Sequence, residues 1–151
     1  MLIVGDQVLP KISPNISVQA HEPDDDPLGR YLASLTKLRD AVPADTLVLP
    51  SHNLPFRGLH ARIASLTAHH RARCNEVIAA CAAPKSAMEL VPLLFKRKLD
   101  PHQLGFALGE ALAHLNHLMY QGALARELDE DGVYRFHKAA TPHPQGTRIG
   151  R

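Results

Sequence analysis

The chain of 151 residues is long enough for one good core or two small ones. Its 45% hydrophobic and 21% charged residues are typical of an ordinary globular protein. The formal net charge of +2 is too small to indicate a nucleic acid or a membrane surface as partner. The sequence has no apolar run of membrane-spanning length and no signal-peptide pattern at its N-terminus.

Two cysteines, Cys74 and Cys81, lie in one predicted helix. Helical rise places them roughly 10 Å apart, which is too far for a disulfide. We expect both to be small core residues, and two unpaired thiols favour a reducing compartment. The sequence therefore predicts a cytoplasmic protein.

Two short apolar runs near the N-terminus each end in a side chain that can bind a metal. Residues 2–4 are followed by Gly5 and Asp6, and residues 46–49 are followed by Pro50, Ser51 and His52. Both runs read as buried strands, and the carboxyl ends of such strands are where open α/β sheets place their ligands. We therefore expect Asp6 and His52 to meet.

A helix is predicted between these strands. Asp26 is a good N-cap, Pro27 suits the first helical position, and the helix should run to about Val42. Strand, helix and strand in this order predict a right-handed βαβ unit. Either the strand at residues 2–4 pairs with residues 46–49, or we expect this chain to be part of a longer protein.

Three further helices and a β-hairpin are predicted in the rest of the chain. The helices span about 59–82, 86–96 and 101–119, and the last two open with Ser86 to Glu89 and Asp100 to Gln103, which are capping-box patterns. Asp-Gly at residues 131–132, between strand-like runs at 122–128 and 133–138, indicates the hairpin. This is the element order of a winged helix-turn-helix.

Asp6 and His52 each have an ordinary structural interpretation. An aspartate after a strand-ending glycine is commonly a turn residue, and a loop histidine is more often hydrogen-bonded than metal-bound. Together, at two strand ends of one unit, they form a pair that zinc accepts. A catalytic zinc needs about three protein ligands, so two residues alone do not make a site.

The two strand ends resemble the second half of metallo-β-lactamase-superfamily hydrolases. The likeness is carried by Gly5-Asp6-x-Val-Leu-Pro followed by Ile-Ser-Pro-Asn at 12–15, and by Leu-Pro-Ser-His at 49–52 before a long helix containing His-His-Arg at 69–71. Residues 86–138 resemble the winged-helix extension of some branches of that superfamily.

The resemblance implies a role for each residue of the pair. Asp6 would be the carboxylate that bridges two metal ions, and His52 would be the last metal ligand, with zinc as the expected metal. The implied activity is hydrolysis of a small-molecule ester or thioester, a glyoxalase II-like substrate, or a phosphodiester.

The superfamily's His-x-His-x-Asp-His signature is absent from this sequence. The chain therefore resembles a truncated C-terminal part, and we expect it to be inactive alone.

The remaining histidines favour structural interpretations. We expect His69 and His70 at the surface and the core edge, and His114 and His117 as a polar edge beside the stripe of Leu115. Metal binding by either pair is the less favoured alternative.

An alternative function is a non-enzymatic winged-helix module for DNA binding or dimerisation. Its candidate recognition helix, residues 101–119, contains no lysine or arginine, and the hairpin turn carries three acids. Phosphate contacts dominate nucleic-acid affinity, so nucleic acid is an unfavoured partner. Unpaired strand edges instead favour self-association as a dimer or larger species.

The predicted fold is thus α/β in front, a partial metallo-β-lactamase αββα half, followed by a mainly α winged-helix-like domain. The predicted divisions are residues 1–58, a long connecting helix at 59–85, the winged-helix-like domain at 86–138, and a disordered tail at 139–151.

Overall fold

The computed structural model describes residues 1–140. The tail that we predict to be disordered from residue 139 lies, from residue 141 onward, outside the described residues. The described elements are, in chain order, β1 (Leu2–Gly5), α1 (Pro27–Ala41), β2 (Val48–Pro50), α2 (Leu59–Ala80), α3 (Ala87–Leu94), α4 (Pro101–Tyr120), β3 (Leu124–Leu128) and β4 (Tyr134–Lys138).

The α/β prediction is confirmed, since the described chain is a small fold of helices with a few strands. The predicted N-caps are also confirmed: the carboxylate of Asp26 accepts from the Gly29 N–H, and Ser86 and Asp100 each form a capping box. These caps satisfy backbone donors that have no partner inside their helices. The winged-helix assignment of residues 86–138 stays a prediction.

Strands β1 and β2 pair in parallel, as a βαβ unit requires. The strand that we predict at residues 46–49 instead occupies Val48–Pro50, so it includes the proline that follows the predicted strand. Pro50 is the last residue of β2 and pairs with Gly5, a position where its missing N–H leaves the rest of the ladder intact.

Helix α2 connects two hydrophobic clusters. Its first turns contribute Leu59, Ile63 and Leu66 to a cluster with α1 and the β1–β2 sheet. Val77 near its end and the C-cap residue Cys81 belong to a cluster with α3, α4 and the hairpin. Because α2 takes part in both clusters, it links the packing around the β1–β2 sheet to the packing around the hairpin. The thiol of Cys81 is buried, as expected, and both cysteines are free.

Helix α4 lies in the centre of the described structure. It contacts α1, α2, α3 and β3, and all of residues 113–118 are buried. A helix that reads a DNA groove must present a face to solvent, so this packing counts against α4 as a recognition helix. Among the described helices, none is long and apolar enough to cross a membrane.

Candidate functional site

The two strand ends converge as the sequence predicts. Asp6 Oδ1 lies 3.5 Å from His52 Nε2. Gly5 adopts a left-handed backbone conformation (φ +54°), which turns the chain out of β1 toward His52 at a position where a side chain would be strained. The Ser51 N–H donates to the Gly5 carbonyl at 3.0 Å, and the Ser51 hydroxyl donates to the Asp6 carboxylate.

A closed loop presents His52. Val48 and Phe56 exchange two backbone hydrogen bonds of 2.8 and 3.0 Å, so the chain between them leaves β2 and returns to it. Within this loop Asn53 has a positive φ of 69°, a conformation that asparagine tolerates better than most residues. The turn that follows His52 is therefore favoured by local sequence.

The segment after Asp6 is anchored to the core. Val8 and Leu9 are buried, and Arg62 on α2 donates to the Leu9 carbonyl at 2.6 Å and to the Ile12 carbonyl at 2.9 Å. These contacts attach the loop that begins at Asp6 to the start of α2.

The donor set of the pair fits one metal ion but does not complete its coordination. Two ligands at about 2.1 Å from a tetrahedral zinc stand about 3.4 Å apart, close to the separation of 3.5 Å between Asp6 and His52. Both side chains are about two-thirds exposed, at 64% and 65%. In the part of the chain that the structure describes, no group of three or more histidine, cysteine, aspartate or glutamate side chains is placed to hold a metal.

A second group of titratable side chains, all histidines, lies inside the molecule. His70, His114 and His117 are buried, with exposed fractions of 0%, 1% and 8%. The expectation of a core edge for His70 and a polar edge for the other two is wrong, because α4 packs its centre against α1 and α2 instead of presenting it to solvent.

Three hydrogen bonds in sequence link a loop serine to His70, His70 to His114, and His114 to the backbone of α4. Ser13 Oγ lies 3.3 Å from His70 Nε2, and His70 Nδ1 lies 3.4 Å from His114 Nε2. His114 Nδ1 lies 2.8 Å from the Glu110 carbonyl. The carbonyl only accepts, so it fixes the tautomers of neutral rings: His114 Nδ1 donates to Glu110, His70 Nδ1 donates to His114, and His70 Nε2 keeps a lone pair toward Ser13. We call the connected groups, namely Ser13, His70, His114 and the Glu110 carbonyl, the histidine chain.

Burial shifts the pKa values around the histidine chain. Desolvation, followed by the positive fields of His114, His69 and His117, lowers the pKa of His70 to about 4. Burial likewise lowers the pKa of His114. Both rings are therefore neutral at pH 7. Burial raises the pKa of the Glu110 carboxyl to about 7, a shift that the positive charge of Arg73 partly offsets.

A surface pocket of about 370 Å³ opens beside Ser13. Its apolar wall consists of Phe95, Leu99, Phe106 and Ala107, and its polar lining consists of Ser13, Asn15, Arg97, Gln103 and Glu110. An apolar pocket of this size with a few polar groups is typical of small-molecule sites.

Comparison with known proteins assigns the family. Residues 74–139 match the family model described as metallo-beta-lactamase-like, C-terminal domain. A beta-lactamase domain protein of Burkholderia ambifaria has a similar solved structure, with a TM-score of 0.88 and 55% identity over 91% of this chain. The chain belongs to the metallo-β-lactamase superfamily. A metallo-β-lactamase family protein of Thermus thermophilus is similar over 91% of this chain, with a TM-score of 0.76 and 33% identity. Among curated proteins no relative matches.

The superfamily likeness covers most of this chain but less than half of those two relatives. The chain spans 41% of the length of the Burkholderia protein and 42% of the length of the Thermus protein. Membership in the metallo-β-lactamase superfamily confirms the family suggested by the motifs at Asp6 and His52.

Sequence reasoning missed the histidine chain. One signal for it exists in the sequence: His70 lies on the same helical stripe as Ile63, Leu66 and Val77, which are buried. A histidine on a buried stripe needs polar partners, but the sequence does not say that Ser13 and His114 supply them.

Proposed function

We propose that this chain contributes to the active site of a metal-dependent hydrolase of the metallo-β-lactamase superfamily, in which Asp6 and His52 are metal ligands. The observation that carries the proposal is the 3.5 Å separation of Asp6 Oδ1 and His52 Nε2 at two adjacent strand ends. On the superfamily resemblance, Asp6 would be the carboxylate shared by two metal ions and His52 would be a ligand of one of them. Zinc is the metal we propose, because it accepts both ligand types.

The surrounding residues hold the pair in position for this role. The Ser51 hydroxyl donates to Asp6 Oδ1, which fixes the orientation of the carboxylate. The left-handed turns at Gly5 and Asn53 direct the two ligands toward each other. When bound, metal ions supply a hydroxide at neutral pH and polarise the scissile carbonyl or phosphoryl group.

The number of ligands limits what the described residues do alone. Asp6 and His52 are two ligands, and a catalytic zinc takes about three from the protein together with a water. We propose that the remaining ligands come from a segment corresponding to the part of the two relatives that this chain does not match, and that the chain alone lacks the metal-dependent activity. The proposed substrates are thioesters, including glyoxalase II-like ones, and phosphodiesters.

A chimera tests this function. The segment of the Burkholderia protein that matches this chain is replaced by the chain itself, since 55% identity and a TM-score of 0.88 favour a compatible join. Hydrolysis of a thioester, a carboxyl ester and a phosphodiester is then measured for the chimera, for the isolated chain, and for the chimera with Asp6→Ala or His52→Ala. His60→Ala is the matched control, because His60 contacts the Val42 carbonyl at 2.8 Å, away from the strand ends.

The expected result is metal-dependent hydrolysis by the chimera that falls at least a hundredfold in Asp6→Ala and His52→Ala and changes little in His60→Ala. The isolated chain should show no hydrolysis that is lost on chelation of metals. Hydrolysis that persists in both ligand variants of an active chimera would refute the assignment of Asp6 and His52.

A further inference from the structure

We propose that Ser13 is a nucleophile for acyl transfer, with His70 as its general base and His114 as the residue that positions His70. The proposal concerns a second reactive site and does not depend on the metal pair at Asp6 and His52. It rests on the direction in which the hydrogen bonds of the histidine chain donate and on the pocket that Ser13 lines.

The hydrogen-bond chain gives His70 the tautomer that a base needs. Because His114 Nδ1 donates to the Glu110 carbonyl at 2.8 Å, its Nε2 accepts from His70 Nδ1 at 3.4 Å. The lone pair of His70 Nε2 therefore faces Ser13 Oγ at 3.3 Å. A serine, a base in reach of its hydroxyl and a third group that orients the base are the parts of an activated nucleophile.

The Ser13 hydroxyl has a second acceptor nearby. The carbonyl of Pro14 also lies 3.3 Å from Ser13 Oγ. A carbonyl can accept the hydrogen bond, but only the imidazole can remove the proton as the oxygen attacks. His70 is therefore the group that makes Ser13 reactive.

The pocket indicates the class of substrate. Phe95, Leu99 and Phe106 form an apolar wall beside Ser13, which suits a short aliphatic or aryl acyl group. The side-chain amides of Asn15 and Gln103 line the same pocket. Their N–H groups are donors of the kind that stabilise the oxyanion of an acyl-transfer intermediate. A small carboxylic ester is the substrate that this combination fits.

The reaction proceeds in two balanced steps. The Ser13 hydroxyl oxygen attacks the ester carbonyl carbon, and its proton passes to His70 Nε2; the C–O bond to the alcohol then breaks and the alcohol leaves with that proton. A water molecule next attacks the Ser13 acyl ester, with His70 again accepting and returning one proton. The products are the alcohol and the carboxylic acid, and Ser13 is restored.

The environment of His70 sets the reactivity and its pH dependence. The ring is faced by Tyr31 of α1, by His69 of α2 and by His114 and His117 of α4. Tyr31 stays neutral because burial raises its pKa to about 12. The pKa of about 4 makes His70 a weak base that is present in its active form throughout the neutral range. We expect slow hydrolysis of small carboxylic esters and faster reaction with esters and phosphoryl donors that have a good leaving group.

Labelling with diisopropyl fluorophosphate tests the proposal. The chain is incubated with the reagent, and adducts are located by mass spectrometry of the intact chain and of its peptides. The expected result is one adduct per chain on Ser13, with labelling reduced at least tenfold in Ser13→Ala. Ser65→Ala is the matched control, because Ser65 is an exposed residue of α2 that does not line the pocket beside Ser13; it should label normally.

The role of His70 is tested by variant and by pH. His70→Asn should slow labelling of Ser13 at least tenfold. If this buried substitution prevents folding, the wild-type profile decides: the labelling rate should rise through about pH 4 and be flat above about pH 6. Chelation of metals should leave labelling unchanged. Labelling spread evenly over exposed serines, a rate that rises through pH 7 in Glu110→Gln as well as in wild type, or loss of labelling on chelation would each overturn the proposal.

Discussion

His70 is a residue that folding holds in its neutral form. Its pKa is about 4 in the folded chain against an ordinary value near 6.5, so the native state binds fewer protons than the unfolded state between these values. The contribution of His70 to stability should therefore be full above about pH 6.5 and fall as the pH falls toward 4, whereas Glu110, with its pKa raised to about 7, acts in the opposite sense over the same range. Between pH 7 and pH 5 we expect a loss of about 2 kcal/mol from this residue.

Urea denaturation at a series of pH values measures this effect. His70→Phe removes the titrating ring, so the stability of the wild type relative to this variant should fall by about 2 kcal/mol from pH 7 to pH 5, while the titration of Glu110 and His114 is common to both. His21→Gln, in an exposed loop, is the control and should leave the profile as it is. A stability difference between wild type and His70→Phe that stays constant from pH 7 to pH 5 would contradict the neutral, buried His70.

The two candidate groups of residues differ in how far the sequence predicts them. Asp6 and His52 are predictable because each follows a strand, and the ends of parallel strands meet at one edge of a sheet whatever the details of packing. The contact between His70 and His114 joins residues 44 apart on two helices. It depends on how each helix is rotated about its axis, which packing decides and which periodicity leaves open.

Gly105 and Gly109, both on α4, differ in how closely a neighbouring loop approaches them. A Cβ added at Gly109 would lie 2.9 Å from the Ser17 Cβ and 3.4 Å from the Val18 carbonyl, whereas one added at Gly105 would meet nothing within 4 Å. The Gly109 carbonyl also accepts from the Val18 N–H at 3.0 Å. Close approach of the loop to α4 therefore needs glycine at one position and not at the other.

We predict opposite effects for the two alanine substitutions. Gly105→Ala should stabilise the chain by about 0.5–1 kcal/mol, because alanine favours a helix over glycine by that amount. Gly109→Ala gains the same propensity but displaces residues 17–18, and we expect a net loss of about 1–2 kcal/mol. Denaturant midpoints of the two variants test this. A Gly109→Ala variant as stable as Gly105→Ala would show that the loop does not pack on α4 in solution.

The elements are predictable where local chemistry decides them. Asp26, Ser86 and Asp100 mark helix starts by side-chain hydrogen bonds that need no distant partner. The displacement of β2 to Val48–Pro50 has a non-local cause, because the strand is defined by pairing with β1. A proline indicates that a strand ends nearby, but it does not decide whether the proline itself is the last residue of the strand.

At the scale of the molecule, the two-stranded sheet of β1 and β2 is the feature that favours association. The side chains of Ile3 on β1 and of Leu54 in the loop after β2 are 75% and 80% exposed. Strand edges and exposed apolar side chains favour pairing with another chain. We expect the isolated chain to form dimers or larger species at micromolar concentration.

Sedimentation equilibrium tests this association. Ile3→Lys places a charge on the sheet and should shift the chain toward monomer at least tenfold in apparent Kd. Ile12→Lys, at a side chain 56% exposed outside the described strands, is the control and should change little. A clean monomer for the wild-type chain at micromolar concentration would contradict the expectation.

The central claim, that Asp6 and His52 bind metal together, is tested most directly by metal content. The chimera with the Burkholderia protein is purified without an affinity tag, and zinc, manganese and iron per chain are measured beside the Asp6→Ala, His52→Ala and His60→Ala variants. We predict near-stoichiometric zinc in the chimera and in His60→Ala, and loss of at least half of it in each ligand variant. Full metal content in both ligand variants would contradict the claim.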